Sequence, residues 1–385
     1  MRIRRLSYAS YFVVLAAAGA TGCAADDVQT TTSGSSTTST NATAGSTAAT
    51  AASTAGGPTT SGSTTGATST TSGGDMPTGD FCNGPDEEIF TIRQVENYEV
   101  DTSIQDQYLC VGLTVTTEEL RHVVAFRPIV DNPFLLHHMI VYRIDAEDPT
   151  EPYPCANIPD SGFRYGWAPG IGTFELPPEA GFVMGDVDGD ANAPGIQTFY
   201  RLEIHYNVPD VNNPPPMNID SSGVEICTTK SLRPNDASAL TLGDIDLNIP
   251  PNVPDHEEIG VCSENSTSLL PWDIHVFGSF PHMHLLGRRI WTDHLRGGQK
   301  IGVLGEDLSF DFNLQKIMPE DATIKAGDRL ETHCVYDSTS CQIGSFMTDA
   351  CMNTTTFGEG TTDEMCFNFL FYWPALPGQI PPCVQ

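Results

Sequence analysis

The stretch TFYRLEIHYNV, residues 198–208, alternates apolar and polar side chains. In an extended strand Leu202 and Ile204 would share one face, and Glu203 and His205 would share the other. Segments of similar character recur between Pro, Gly, Asn and Asp residues, at 122–130, 135–144, 222–229, 272–280, 283–293, 329–337 and 365–373. Long amphipathic helical patterns are missing. The sequence therefore predicts an all-β fold of antiparallel β-sandwiches with long loops.

The N-terminal residues have the pattern of an export signal. Residues 1–23 begin with arginines, continue through an apolar run and end in small residues before Cys23. ATGC resembles a bacterial lipoprotein signal, in which Cys23 is lipidated; the alternative is cleavage nearby, with Cys23 left as a stray thiol. Residues 24–80 are nearly all Thr, Ser, Gly and Ala, and we expect a disordered linker there.

The rest of the chain is long enough for two domains. About 300 residues exceed what one small core usually holds. Pro-rich breaks at 207–216 and 249–256 place the boundary near 230, so the predicted domains are 81–230 and 231–385.

Charge and hydropathy narrow the possible partners. The formal net charge of −31 argues against nucleic acid, whose phosphates require a basic surface. The sequence after the signal has no apolar run of membrane-spanning length. We expect a monomer that meets a membrane only through its lipid anchor. Because Ala24 and Ala25 follow Cys23, no acidic residue lies directly beside it, and we expect a cell-envelope lipoprotein at the outer membrane or cell surface.

The cysteines indicate an oxidising compartment. Of eleven cysteines, ten remain when Cys23 is set aside, and an even number in an exported chain predicts five disulfides. None forms a CxxC pair, which argues against a zinc ribbon or a thioredoxin-type site.

Two histidine patterns raise the question of a metal. In FPHMHLLG, residues 280–287, an H-x-H spacing on a strand would put His282 and His284 on one face, where they could share an ion. The alternative is two partly exposed polar residues on an edge strand.

The second pattern is LLHHMIVY, residues 135–142, in which His137 and His138 are adjacent. Burying two imidazoles without partners is costly. A metal would supply a partner, and a bulge or strand end could turn both rings toward one ion. His205, taken alone, is more typical of a hydrogen-bonded structural residue, and Met139 receives no ligand role.

Met365, in TTDEMCFNF (residues 361–369), would discriminate among metals. A thioether is a soft ligand that suits Cu(I) and is rarely useful for zinc or iron. Taken alone, Met365 is better explained as a core residue.

LLHHMIVY, LEIHYN, HMHLLGRR and TTDEMCFNFLFYW together resemble, in order and approximate spacing, the copper type II, ascorbate-dependent monooxygenases. The resemblance covers residues 100–385. It implies two tandem antiparallel, jelly-roll-like β-sandwich domains, with one copper in each, facing a solvent-filled cleft.

The resemblance also implies the roles of six residues. His137, His138 and His205 would bind the electron-transfer copper, and His282, His284 and Met365 would bind the catalytic copper. The implied activity inserts one atom of O2 into a C–H bond of a small organic substrate and reduces the other to water. Ascorbate or another one-electron donor would supply the electrons.

The same resemblance implies a disulfide pairing. The pairs would be Cys82–Cys227, Cys110–Cys155, Cys262–Cys383 and Cys334–Cys366, with Cys341–Cys351 remaining.

Two positions depart from the branch of this family that hydroxylates peptides. That branch holds a substrate carboxylate with an arginine and a tyrosine where this chain has Phe280 and Phe369. A glycine-extended peptide is therefore not expected, and an aromatic or aliphatic small molecule is the expected substrate. The two phenylalanines could equally line a pocket or pack in the core.

Two other classes of protein remain as alternatives. One is a copper-binding surface lipoprotein that kept the ligands without turnover. The other is a β-sandwich module that binds carbohydrate or protein and has incidental histidines.

Overall fold

The computed structural model describes residues 81–155, 162–185, 196–377 and 383–384, which belong to one compact unit of the chain. The predicted signal peptide, Cys23 and the predicted linker lie outside the described residues. None of the helices in the described ranges has the length and apolarity required to cross a membrane.

The described residues form strands and one helix of four residues, which confirms the all-β prediction. The strands of the N-terminal half (81–230) are β1 Glu87–Arg93, β2 Tyr98–Glu99, β3 Asp106–Thr117, β4 Arg121–Ile129, β5 Leu136–Ile144, β6 Tyr153–Pro154, β7 Phe163–Trp167, β8 Phe174–Glu175, β9 Ala180–Met184, β10 Ile196–Asn207, β11 Ile219–Asp220 and β12 Gly223–Thr229. The elements of the C-terminal half (231–385) are β13 Asn235–Asp244, β14 Asn248–Ile249, β15 His256–Cys262, α1 Glu264–Thr267, β16 Ile274–His282, β17 Gly287–Arg296, β18 Gln299–Asp307, β19 Met318–Ile324, β20 Asp328–Tyr336, β21 Gln342–Ile343, β22 Phe346–Met347, β23 Thr355–Thr356, β24 Cys366–Trp373 and β25 Cys383–Val384.

The N-terminal half is a sandwich of two sheets around one core. One layer has the strand order β6-β3-β10-β5-β7, and the other contains β1-β12-β4-β9. Leu202 and Ile204 of β10 are fully buried together with Val123 and Phe126 of β4. The alternation in residues 198–208 thus places one side of β10 in the core, as the sequence predicts.

The C-terminal half repeats this arrangement with its own two layers. Strands β13-β24-β16-β19 form one layer, and β15-β20-β17-β18 form the other. Leu370 of β24 and Ile274 of β16 share a buried cluster with Leu330 of β20 and Leu304 of β18.

One sheet continues from the first half into the second. Strand β9 pairs in parallel with β13, so that Ala180–Phe182 lie opposite Asn235–Ala237. Both halves therefore share a ten-stranded sheet, and this fixes the surfaces that face each other near the histidines.

Aromatic rings fill the core between the halves. Phe163 of β7 stacks on Phe369 of β24 at 4.2 Å between ring centroids, and on Phe280 of β16 at 5.7 Å. Phe280 and Phe369 are both buried in this cluster. Of the two explanations for these phenylalanines, the structure supports core packing.

Five disulfides tie the sheets and loops together. They are Cys82–Cys227, Cys110–Cys155, Cys262–Cys383, Cys334–Cys366 and Cys341–Cys351, the same five pairs that the resemblance implied. Cys334–Cys366 joins β20 to the first residue of β24, directly after Met365.

Candidate metal centres

Strand β5 has an irregular step at the two adjacent histidines. Where β5 pairs with β10, His138 lies opposite His205 and Leu136 lies opposite Tyr206, so His137 is the extra residue of a β-bulge. A bulge lets neighbouring side chains escape the strict alternation of a strand. The expected departure from regular pleating at His137 and His138 is therefore confirmed.

The bulge brings three imidazoles together, and we call His137, His138 and His205 the first centre. The Nδ1 atom of His138 lies 3.2 Å from Nδ1 of His137 and 3.2 Å from Nδ1 of His205. All three side chains are buried. One ring nitrogen from each can therefore reach a common point.

The outward nitrogens of two of these rings are held by hydrogen bonds. His137 Nε2 lies 3.2 Å from Asn313 Oδ1, and the Asn313 amide is oriented because its Nδ2 donates to Asp311 Oδ1 at 3.0 Å. His205 Nε2 donates to the Asp106 carboxylate. Their protons thus sit on Nε2, and their Nδ1 lone pairs face the common point.

The third ring, His138, has only one ring proton while it is neutral. It can therefore donate a hydrogen bond to at most one of those two lone pairs, whereas a cation could accept both. Its Nε2 lies 4.0 Å from Glu203 Oε1. Burial, and then the neighbouring His205, lowers the pKa of His137 to about 3 and shifts the pKa of His138 well below its usual range. His137 and His138 are thus uncharged at neutral pH, and their lone pairs are available to a cation.

The spacing of these nitrogens fits a bound metal ion. Ions that bind imidazole lie about 2.0–2.1 Å from each nitrogen, which keeps neighbouring nitrogens about 3 Å apart. The Nδ1 separations of His138 from His137 and from His205, both 3.2 Å, are close to that value.

We call His282, His284 and Met365 the second centre. The prediction that both histidines lie on one strand is wrong, because β16 ends at His282 and His284 follows in a turn before β17. The two rings are nevertheless 5.2 Å apart between centroids and perpendicular. The chain must therefore be held in the turn by other contacts.

A buried carboxylate supplies those contacts. Glu364 accepts hydrogen bonds from the backbone N–H groups of Leu286 at 2.6 Å, His284 at 3.0 Å and Met365 at 3.3 Å. Burial raises the pKa of Glu364 to about 8, although the three N–H groups act in the opposite direction. One side chain thus joins the turn that carries His284 to the segment that carries Met365.

His282 and His284 form their orienting hydrogen bonds through Nδ1, whereas His137 and His205 form theirs through Nε2. His282 Nδ1 lies 2.7 Å from Gln315 Oε1, and the Gln315 amide is oriented because its Nε2 donates to the Phe312 carbonyl. His284 Nδ1 lies 3.1 Å from the Asp363 carbonyl oxygen. With Nδ1 donating in both rings, Nε2 carries the lone pair.

These rings are also neutral when the protein is free of metal. Burial lowers the pKa of His282 to about 4, and burial with the neighbouring His282 lowers the pKa of His284 to about 3. Both can therefore act as ligands throughout the neutral range.

Both centres open onto one small cavity. Its volume is about 130 Å³, and it is lined by Tyr108, His138, Ile140, Cys155, Glu203, His282, His284, Glu359, Gly360 and Met365. Met365 thus shares a cavity with the two histidines of its centre and with His138 of the other centre. His138 and His282 are 6.3 Å apart between ring centroids.

The resemblance implied a solvent-filled cleft, and the structure has a narrower space. Phe312 stacks on His137 at 4.4 Å between centroids and lies edge-on to His284 at 5.8 Å. This ring occupies part of the space between the centres, which reduces the cleft to the small cavity.

The sequence did not point to four residues that orient the candidate ligands: Asp106, Asn313, Gln315 and Glu364. An acidic residue beside Met365, at the start of an apolar strand, was a usable signal for Glu364. Asp106 is one of many acidic residues that the sequence alone does not distinguish from surface residues. The segment that contains Asn313 and Gln315 has no periodic pattern.

Each half of the described chain matches a domain of one protein family. Residues 91–213 match the family model described as copper type II ascorbate-dependent monooxygenase, N-terminal domain, and residues 235–384 match the corresponding C-terminal domain. The predicted boundary near residue 230 lies between these two ranges.

Several relatives are about one third identical to this chain. A tyramine beta-hydroxylase from Caenorhabditis briggsae is 31% identical over 78% of this chain and 54% of that protein. DBH-like monooxygenase protein 1 from Gallus gallus is 31% identical over 70% of this chain and 44% of that protein. Dopamine beta-hydroxylase from Bos taurus is 32% identical over 66% of this chain and 41% of that protein.

The chain spans about half the length of these curated relatives. The two domain matches together still cover most of the region from residue 91 to residue 384. The chain belongs to the copper type II ascorbate-dependent monooxygenase family.

Proposed function

We propose that this protein is a copper-dependent monooxygenase that hydroxylates a C–H bond of a small organic substrate, using O2 and ascorbate or another one-electron donor. Two coppers would bind per chain, one at the first centre and one at the second. When bound, copper supplies one-electron redox chemistry and the activation of O2.

The observation that carries this proposal is the convergence of three Nδ1 atoms at the first centre. His137 and His205 direct their protons outward to Asn313 and Asp106, and their lone pairs meet at the Nδ1 atom of His138. Buried lone pairs that face each other without a cation would repel. A metal ion that accepts all three explains the arrangement.

The second centre supports copper among the metals that bind imidazole. Its two histidines offer Nε2, and the thioether of Met365 lines the same cavity. Thioethers suit Cu(I) and add little to zinc or iron binding. The protein's own contribution is orientation, because Gln315, Asp363 and Glu364 form hydrogen bonds with the ligand residues.

The charges that line the cavity favour a cationic substrate. Burial, and then repulsion from Glu359, raises the pKa of Glu203 to about 7, so two carboxyl groups lie close to each other at the cavity. A bound ammonium group would relieve that repulsion and ionise Glu203. Two of the relatives are named for tyramine and dopamine, which are primary amines, and we propose a small amine for this protein.

The cellular location belongs to the same proposal. Five disulfides within the described residues are typical of an oxidising compartment outside the cytoplasm. This supports export, and the lipid anchor at Cys23 and the monomeric state remain predictions.

The test of the reaction uses copper-reconstituted protein, ascorbate, ¹⁸O2 and tyramine. We expect one ¹⁸O atom per hydroxylated product, dependent on both copper and ascorbate. If the protein binds two coppers but hydroxylates neither tyramine nor a panel of other primary amines and alcohols, the protein is a copper-binding lipoprotein and the enzymatic proposal is wrong.

The test of the substrate class compares tyramine with 4-ethylphenol, which has no amine. Glu203→Gln should lower kcat/KM about tenfold for tyramine, which corresponds to about 1.4 kcal/mol, and leave 4-ethylphenol nearly unchanged. Equal losses for both substrates would contradict a role for Glu203 in binding an ammonium group.

A further inference from the structure

Both candidate centres are held by the same short segment of the C-terminal half. Asn313 accepts a hydrogen bond from His137 of the first centre, and Gln315 accepts one from His282 of the second centre. Phe312, in the same segment, contacts His137 with its face and lies edge-on to His284. The Gln315 amide also donates to the Phe312 carbonyl oxygen, and this hydrogen bond connects the two ends of the segment 312–315.

A second contact between the halves reaches the first centre from the segment before Met365. Thr361 Oγ1 lies 3.4 Å from His205 Nε2 and 2.9 Å from the Tyr108 hydroxyl. The Thr361 backbone N–H donates to Asp106 Oδ2 at 3.3 Å. Tyr108 in turn stacks on His205 at 4.1 Å between centroids.

Two of the three ligands at the first centre therefore contact residues of the other half: His137 contacts Asn313, and His205 contacts Thr361. Each of those residues lies within four positions of a group that holds or forms the second centre: Asn313 is two residues from Gln315, and Thr361 is four from Met365. Asn313 and Thr361 each contact a candidate ligand of the first centre and belong to neither set of candidate ligands.

We propose that Asn313 and Thr361 are positioning residues through which copper at one centre raises the affinity of the other centre for copper. This inference rests on the proposed function, because it requires that both centres bind copper. Neither residue donates a ligand atom.

The physical basis is the cost of ordering the segments. A metal at the second centre fixes His282 and Met365, and with them Gln315 and the chain that leads to Thr361. Asn313 and Thr361 are then already in position to orient His137 and His205, so the first centre has less ordering cost when it binds its own ion. The coupling must be reciprocal, because it is a free energy shared by two binding events.

The experiment measures Cu(I) binding to the full chain by anaerobic competition with a chromophoric chelator. His284→Ala reports the first centre by itself, and His137→Ala reports the second. The coupling factor is the product of the two association constants of the wild type divided by the product of the constants of these two variants. We expect a factor of at least about five, which is within the usual range of such couplings.

Asn313→Ala is then introduced into all three backgrounds. The coupling factor should fall to about one, and the first centre by itself should weaken about tenfold, as is usual when an outer partner of a ligand is lost. Thr361→Val, which keeps the backbone contact with Asp106, should also lower the coupling factor. Leu314→Ala is the matched control, because its side chain is exposed in the same segment, and should leave the factor unchanged.

The outcomes separate the two proposals. If Asn313→Ala weakens the first centre and leaves the coupling factor at its wild-type value, Asn313 is an ordinary support and the coupling is refuted. A factor near one in the wild type, with two coppers bound, also refutes the coupling while the proposed function stands. If no copper binds to the wild type, both proposals are wrong.

Discussion

Replacing Met365 by isoleucine should separate the two centres. Met365 is 3% exposed and packs in the core between the halves. Isoleucine has a similar volume and suits the strand that begins at the next residue, so the free energy of unfolding should change by less than about 1.5 kcal/mol. The change removes the sulfur and leaves five imidazoles in place.

The expected loss falls on the second centre. Removal of an outer partner of a metal ligand costs about 10–100-fold in affinity, and removal of a ligand itself should cost at least about 100-fold. Copper-reconstituted Met365→Ile should therefore hold close to one copper per chain, at the first centre, and should not hydroxylate substrate. Copper content, the melting temperature and ¹⁸O incorporation are measured on the same preparation.

Met139→Ile is the matched control for this change. Met139 is equally buried and lies beside His138 in β5, yet it has no ligand role in this account. It should keep two coppers and full turnover. Two coppers and normal turnover in Met365→Ile, or loss of both coppers from a protein that remains folded, would refute the assignment of Met365 to one of two separate centres.

Three further changes test the surrounding structure. Glu364→Gln places an amide nitrogen against backbone N–H groups, so the free energy of unfolding should fall by about 1–3 kcal/mol for each hydrogen bond lost. The control Glu331→Gln, on the partly exposed side of β20, should have little effect. Equal melting temperatures for the two variants would contradict the role of Glu364. In the metal-free protein burial lowers the pKa values of His137, His138, His282 and His284, so these rings stay neutral while the histidines of the unfolded chain take up protons below about pH 6.5. As the pH falls from 6.5 to about 4, the free energy of unfolding should therefore decrease by up to about 1.4 kcal/mol per pH unit for each of these four histidines. Urea unfolding at several pH values should give a shallower slope for His282→Gln, and equal slopes would count against buried neutral rings. Phe163→Ala removes the ring that stacks between the halves and should lower the free energy of unfolding by about 3–5 kcal/mol. Phe134 is largely exposed, so the control Phe134→Ala should change it very little. Similar losses for both variants would contradict the packing described.

The strands of this protein were largely predictable, because side-chain alternation is local. The segment 198–208 became β10, and residues 365–373 became β24 with a shift of one residue at its start. The bulge at His137 was also predictable, since two adjacent imidazoles cannot face one point from a regular strand.

The turn at His284 was not predictable from the spacing of the histidines. H-x-H on a regular strand would put both rings on one face, but β16 ends at His282 and Glu364 holds the following turn. That contact joins residues about 80 positions apart, and no local pattern encodes it. The roles of Asn313 and Gln315 could not be predicted for the same reason, because the sequence of their loop has no periodic pattern and the residues that they contact are distant in sequence.

The packing of Phe280 and Phe369 could not be decided from composition. A phenylalanine in a strand has the same pattern whether it lines a cavity or fills a core. The stacking of Phe163 on both rings decides it, and Phe163 lies more than 100 residues earlier in the chain.

The central claim is that two coppers bind at centres with different donor atoms. X-ray absorption at the copper edge of the fully reduced, reconstituted protein tests it most directly, together with the copper count. We expect two coppers per chain and an average of half a sulfur ligand per copper, with the sulfur lost in Met365→Ile. A fully loaded protein whose coppers have only nitrogen and oxygen ligands would contradict it.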